Sequence, residues 1–184
     1  TRKESSAASD VYKRQLLSRA FGVVASIEGV RSLVRTQLVE ILANTVGSQG
    51  LVQGQLQDLR DGKHARSEEE IAATNNLKTG VLFSAIMDMA YLISDAPKPV
   101  RSVLQCFAIE LGHAVQLYDD LQDINPNSDK DQGKDDGKST LLALYGEQKV
   151  RERLDGHLAR AQVCLDEAYG GDVYIGRFLS MLFA

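Results

Sequence analysis

From Leu16 onward the apolar residues recur at three- and four-residue intervals, and they do not alternate in twos. That spacing gives a packing stripe only to a helix, so the sequence predicts an all-α fold with helices gathered around one core. Successive helical segments read as LLSRAFGVVASIEG, then one long pattern from Arg31 to Gly62, then Ser67 to Ser94, then Arg101 to Asp123. After a polar loop come TLLALYG, the amphipathic run EQKVRERLDGHLARAQVCLDEAYGG and a short apolar close, DVYIGRFLSMLFA. Gly47, Gly50 and Gly54 thin the long second pattern. A glycine costs a helix about 1 kcal/mol against alanine, so these three are expected where helices pack closely. Ser67 and Glu70 form a capping box at the head of the third pattern, which fixes its start.

The first fifteen residues, TRKESSAASDVYKRQ, carry little apolar periodicity and read as a tail. The stretch SSAASDVYKRQ has the character of translated adapter sequence, and residues 1–15 are expected to be non-native. Residues 16–184 form a single domain by length, and the 184-residue chain, 43% hydrophobic and 25% charged, falls among ordinary globular proteins. No apolar run approaches the roughly 18 residues that span a bilayer, so no membrane span is expected. Cys106 and Cys164 lie far apart in the sequence and suit a cytoplasmic, reducing location; burial is expected for them rather than a disulfide. Without a CxxC pair, and with only His64, His113 and His157, the chain offers no zinc motif.

Charge is concentrated. Residues 119–140 hold seven aspartates and three lysines, a net −4, and the whole chain also sums to −4. So local an imbalance argues against a nucleic-acid surface and for an ion-handling site. The window ends in Gly137-Lys138-Ser139-Thr140, the tail of a phosphate-binding P-loop. The fingerprint's first glycine is replaced by Gln132, and the preceding segment is helical rather than a strand, so the nucleotide reading fails.

On a helix, Gln116, Asp119, Asp120 and Asp123 fall at i, i+3, i+4 and i+7 and share one face. The aspartates repel one another, and they stand near a helix C-terminus, where the macrodipole disfavours anions. Two broken local rules at one place mark a functional site. A calcium loop beginning at Asp123 is disfavoured, because Ser128 occupies the turn glycine and Lys134 the bidentate glutamate. Oxygen donors with an open side suit Mg²⁺, whose shell is completed by water and phosphate oxygens. Lys130, Lys134 and Lys138 then serve as point charges on the remaining oxygens of a metal-chelated diphosphate.

Taken together, QLYDDLQD, DKDQGKDDGKST, GSQGLVQGQLQDL and NLKTG occur in the order and at the distances that mark the trans-polyprenyl diphosphate synthases. The chain from Leu16 on resembles that family, and within it the bacterial carotenoid-type geranylgeranyl diphosphate synthases. The resemblance implies an antiparallel helical bundle of the isoprenoid synthase type, here its C-terminal part with the N-terminal helices missing. It implies that Asp119, Asp120 and Asp123 hold Mg²⁺ against an allylic diphosphate, and that Lys78, Lys130 and Lys138 bind diphosphate. Thr79 and Gln116 face the developing cation, and Gln55 and Asp58 play a structural part behind the substrate groups. The reaction implied is condensation of farnesyl diphosphate with isopentenyl diphosphate to geranylgeranyl diphosphate, in carotenoid biosynthesis, by a parent that forms homodimers. The family's first aspartate-rich motif has no counterpart here: no adjacent aspartates occur before Asp119. The chain is therefore expected to be an incomplete fragment, inactive alone. A class I terpene cyclase is the alternative, weakened by 6% aromatic residues and no Trp. A non-catalytic synthase subunit is a further one, weakened by the intact aspartates.

Overall fold

The computed structural model describes residues 2–61, 64–94, 96–124, 139–171 and 173–183, with side chains from residue 11 onward. Every regular element among them is helical. The chain divides into two compact units, Thr1–Asn44 and Thr45–Ala184.

The first unit is built from α1 (Arg2–Ala25) and most of α2 (Ser32–Val46). The stretch expected to be a tail is helical and runs without a break into the segment beginning at Leu16. At the other end of α1 the Ser26 hydroxyl donates to Gly22 O at 2.8 Å, which competes with the helical ladder and closes it. Gly29 then takes a left-handed conformation, φ 75°, in the turn towards α2. In α2, Val34, Leu38 and Leu42 are buried at four-residue intervals, the stripe that the periodicity foretold.

The long pattern from Arg31 to Gly62 is not one helix. Thr45–Val46 end α2, a turn containing Gly47 and Gly50 follows, and α3 (Leu51–Asp61) begins anew. Two glycines within four residues lower the cost of leaving the helix more than they weaken packing within it. Gly54, within α3, serves close packing.

The second unit continues with α4 (Glu68–Asn75), a π-helical turn (Asn76–Gly80) and α5 (Val81–Ser94), which form one continuous rod. Its start is the expected capping box: Ser67 N–H donates to Glu70 Oε2 at 2.8 Å, and Glu70 N–H to Ser67 Oγ at 3.3 Å. In the π turn Val81 N–H reaches back to Asn76 O, five residues away, so the rod holds one residue more than a regular helix would. Among the described residues this rod, Glu68–Ser94, is the one helix long and apolar enough to cross a membrane by length and composition, a test that a core helix also passes. Here its middle lies against other helices of the same unit. A Cβ on Gly54 of α3 would stand 2.3 Å from Lys78 N.

The 26-residue α6 (Lys98–Asp123) is the central element, followed by α7 (Leu141–Tyr145), α8 (Glu147–Tyr169) and α9 (Tyr174–Leu182). Ala114, Leu117 and Leu121 of α6 meet Val150 and Leu154 from the front of α8, with Ile71 and Leu141 alongside. Phe107 and Leu111 of α6 meet Ala161, Cys164 and Leu165 from the back of α8, with Leu179 of α9. Early positions on one helix thus face late positions on the other, and α6 and α8 are antiparallel. Each such buried leucine, valine or phenylalanine stabilises the unit by about 1.5–3 kcal/mol relative to exposure. Gly146, φ 76°, alone joins α7 to α8, a conformation that a side chain would strain. Cys164 is buried as expected, but Cys106 is exposed, on the edge of α6; both are free thiols.

Candidate functional site

The π turn sets the position of the site. It is pressed from one side by α3, where Gly54 lies against the backbone of Leu77 and Lys78, and from the other by α6, where a Cβ on Gly112 would be 3.0 Å from Gly80 Cα. Glycine is required at Gly54 because the obstacle is backbone, which cannot swing away. The extra residue of the turn and this two-sided contact together aim Lys78 and Thr79 between α3 and α6.

Lys78 Nζ donates to Asp58 Oδ2 at 3.3 Å. Asp58 is buried, whereas Gln55, three residues earlier, is exposed. Thr79 donates its hydroxyl to Gln116 Oε1 at 3.4 Å, and Gln116 Nε2 donates to Asp120 Oδ1 at 3.0 Å. Hydrogen bonds thus run from the π turn, through a buried amide on α6, to a buried carboxylate one turn further along. Lys78, Gln116, Asp119 and Asp120 line a common cleft with Asp58 and Asn75, and Arg66, Ser139 and Thr140 line it too.

The cleft sets acidic and basic side chains together, Asp58, Asp119 and Asp120 with Lys78 and Arg66. Burial pushes the Asp120 carboxyl up to about 6; the Gln116 hydrogen bond opposes this, Asp119 and Asp123 add to it, and Lys78 reduces it. Asp120 Oδ2 is buried and has no hydrogen-bond partner. Such an atom costs on the order of 1–3 kcal/mol, and in a native protein it calls for a physical reason, an ion or a water among them. Asp119 is exposed beside it, and Asp123 is half-buried one turn on, outside the cleft lining. Among the described residues no three acidic, histidine or cysteine side chains converge into a metal cage. The donors present are carboxylate oxygens with an open side, which fits Mg²⁺ sharing its shell with water and phosphate. Lys130 and Lys138 lie outside the described residues.

Of the residues expected from the sequence, Lys78, Thr79, Gln116, Asp119 and Asp120 are therefore brought together. Arg66 was missed. A signal existed: it is a cation immediately before the cap of α4, at a helix end that favours anions.

The polyprenyl synthetase family model matches residues 7–168. The geranylgeranyl diphosphate synthase of Pantoea ananas is 46% identical over 153 residues, 83% of this chain and 51% of that protein. The geranylgeranyl diphosphate synthase of Pseudescherichia vulneris is 40% identical over 168 residues, 91% of this chain and 55% of that protein. The chain thus spans about half the length of these relatives. Among solved structures, the apo FPP/GFPP synthase of Zymomonas mobilis superposes with a TM-score of 0.73 at 27% identity, over 91% of this chain and 57% of that one. With its helical fold, its aspartate face and its Lys-Thr π turn, the chain belongs to the polyprenyl synthetase family.

Proposed function

We propose that the cleft binds the diphosphate of an allylic prenyl substrate and assists its ionisation, as part of a prenyltransferase that joins farnesyl and isopentenyl diphosphates into geranylgeranyl diphosphate. The observation that carries this reading is the buried, unpartnered Asp120 oxygen, set one hydrogen-bond relay away from Thr79 and beside Lys78. The names of the two bacterial relatives support the product, and they do not favour the cyclase or non-catalytic alternatives.

Asp119 and Asp120, which line the cleft, would hold Mg²⁺, with Asp123 one turn further along α6. When bound, the metal supplies positive charge against the oxygens of the departing diphosphate. Lys78 adds a second cation. Its 3.3 Å contact to Asp58 keeps the ammonium in place before substrate arrives, so little reorganisation is needed when anionic charge develops. Thr79 and Gln116 present neutral oxygens, a suitable lining for a carbocation because they carry no basic nitrogen to capture it. Lys130 and Lys138 complete the diphosphate contacts in this reading. A homodimeric parent and a cytoplasmic location belong to the same proposal, the location supported by two free thiols.

The test is calorimetric titration of the 184-residue chain with farnesyl diphosphate, with and without Mg²⁺. Binding that requires Mg²⁺ and is lost in Asp120→Asn supports the reading; Mg²⁺-independent binding, or none, sinks it. The chain alone is expected not to form product. Geranylgeranyl diphosphate appearing from the two substrates would overturn that expectation.

A further inference from the structure

We propose that Arg66 both positions and serves this diphosphate site, its fork fastening part of the cleft lining to α4 and its charge facing the cleft; the proposal rests on the reading that the cleft binds a Mg²⁺-diphosphate. Three hydrogen bonds leave Arg66, two of them to a residue 73 positions away. Its backbone N–H donates to Ser139 Oγ at 3.2 Å, Nη2 donates to Ser139 O at 2.9 Å, and Nη1 donates to Thr74 Oγ1 at 3.2 Å. Thr74 is buried and fixed in turn, its hydroxyl donating to Glu70 O at 3.0 Å. The next residue along, Thr140, accepts from Ala143 N–H at 3.1 Å and caps α7. Ser139 and Thr140 are thereby held from two sides, by α4 through Arg66 and by α7 through the cap.

This is an unusual use of an arginine. Among the described residues its guanidinium hydrogen-bonds only neutral oxygens, and its buried Nε has no partner. The buried polar side-chain atoms left without a partner among the described residues are this Nε and Asp120 Oδ2, and both residues line the same cleft. An arginine recruited only to tie two loops together would gain more from a carboxylate. Here the planar fork is spent on geometry and the charge is left to the cleft, where an anion is the complementary ligand. Lysine at this position would keep the charge and lose the fork.

The experiment is titration of inorganic diphosphate plus Mg²⁺ into the 184-residue chain and its variants, with helicity checked by circular dichroism. Arg66→Gln and Arg66→Lys are both expected to weaken binding about tenfold, the loss of a charged hydrogen-bonding fork. Thr74→Val is expected to weaken it by a smaller factor, and Thr74→Ser, which keeps the acceptor, to restore it. Full affinity in Arg66→Lys, or Thr74→Val and Thr74→Ser binding alike, overturns the proposal. So does a fall in melting temperature in Arg66→Gln with affinity unchanged. Should the Arg66 variants fail to fold, the Thr74 pair decides. Wild-type chain that binds no diphosphate with Mg²⁺ overturns the functional reading itself, and is told apart from the other outcomes because no variant is then needed.

Discussion

Two carboxylates on α6, ten residues apart, have met opposite treatment. Glu110 accepts from Arg160 Nε at 2.9 Å and lies 2.7 Å from His157 Nδ1, while His157 stacks on His113 at 4.9 Å between ring centroids. Burial pulls Glu110 upward, but the His157 and Arg160 contacts outweigh it and bring the carboxyl below its usual range. Asp120, further along the same helix, has one amide for company and is pushed up to about 6. The first carboxylate closes the joint between α6 and α8. The second is left incomplete, with two more aspartates beside it that make its charge harder to hold. A shared helix and a shared residue class do not give a shared role; the partners supplied by neighbouring helices decide between structure and binding.

The largest effect that would sharpen this contrast is on ligand binding. Asp120→Asn should lower Mg²⁺-dependent affinity for farnesyl diphosphate by about a hundredfold, whereas Glu110→Gln should leave the affinity of the folded chain within about twofold, inside the usual ±0.5 kcal/mol of a change remote from the site. Equal losses in calorimetry would break the comparison. Next comes the seat of Lys78. Gly54→Ala drives a Cβ into the Lys78 backbone and should cost about 1–3 kcal/mol in urea denaturation, as overpacking does, together with weakened diphosphate binding. Unchanged stability would mean that α3 is free to retreat.

The two carboxylates should also pull stability in opposite directions with pH. Glu110 has a lowered carboxyl, so its contribution is present above the unfolded value near 4.5 and is lost as pH falls below it. Glu110→Gln is therefore destabilising at neutral pH, by about 1–3 kcal/mol for a broken charged hydrogen bond, and the cost shrinks as pH falls through the lowered carboxyl range. Asp120 has a raised carboxyl, so its cost is present above about 6 and disappears as pH falls towards 3.8. Asp120→Asn should stabilise the metal-free chain at pH 7.5 by an amount on the order of 1–3 kcal/mol, with no gain at pH 4. Denaturant midpoints of both variants at three pH values would show whether the curves cross. The smallest effect is the control: Arg151→Ala removes an exposed i,i+4 pair with Glu147 and should change stability by no more than about 0.5 kcal/mol.

Much of the site was legible because helical spacing is a strong constraint. Gln116, Asp119 and Asp120 had to share a face once α6 was a helix, and the capping box had to start α4. Other parts depended on contacts between distant segments. Nothing near Lys78 in sequence names Asp58 as its partner, and the hold of Arg66 on Ser139 spans 73 residues. The long second helix was misread because a glycine that breaks a helix and one that lets another helix approach look alike in sequence. Gly47 and Gly50 did the first, Gly54 the second.

The π turn has a consequence for the length of the rod it interrupts. One residue inserted into a helix advances everything after it by about 100°, so α4 and α5 keep separate rotational phases. Ile71 and Thr74 face inward before the turn, and Ala85 does so after it while Ile86 faces out. Removing any single residue between Asn76 and Gly80 would let the ladder close into ordinary α-helix and swing the whole of α5 round by a quarter turn or more. The rod should therefore accept many changes of residue and almost no change of count.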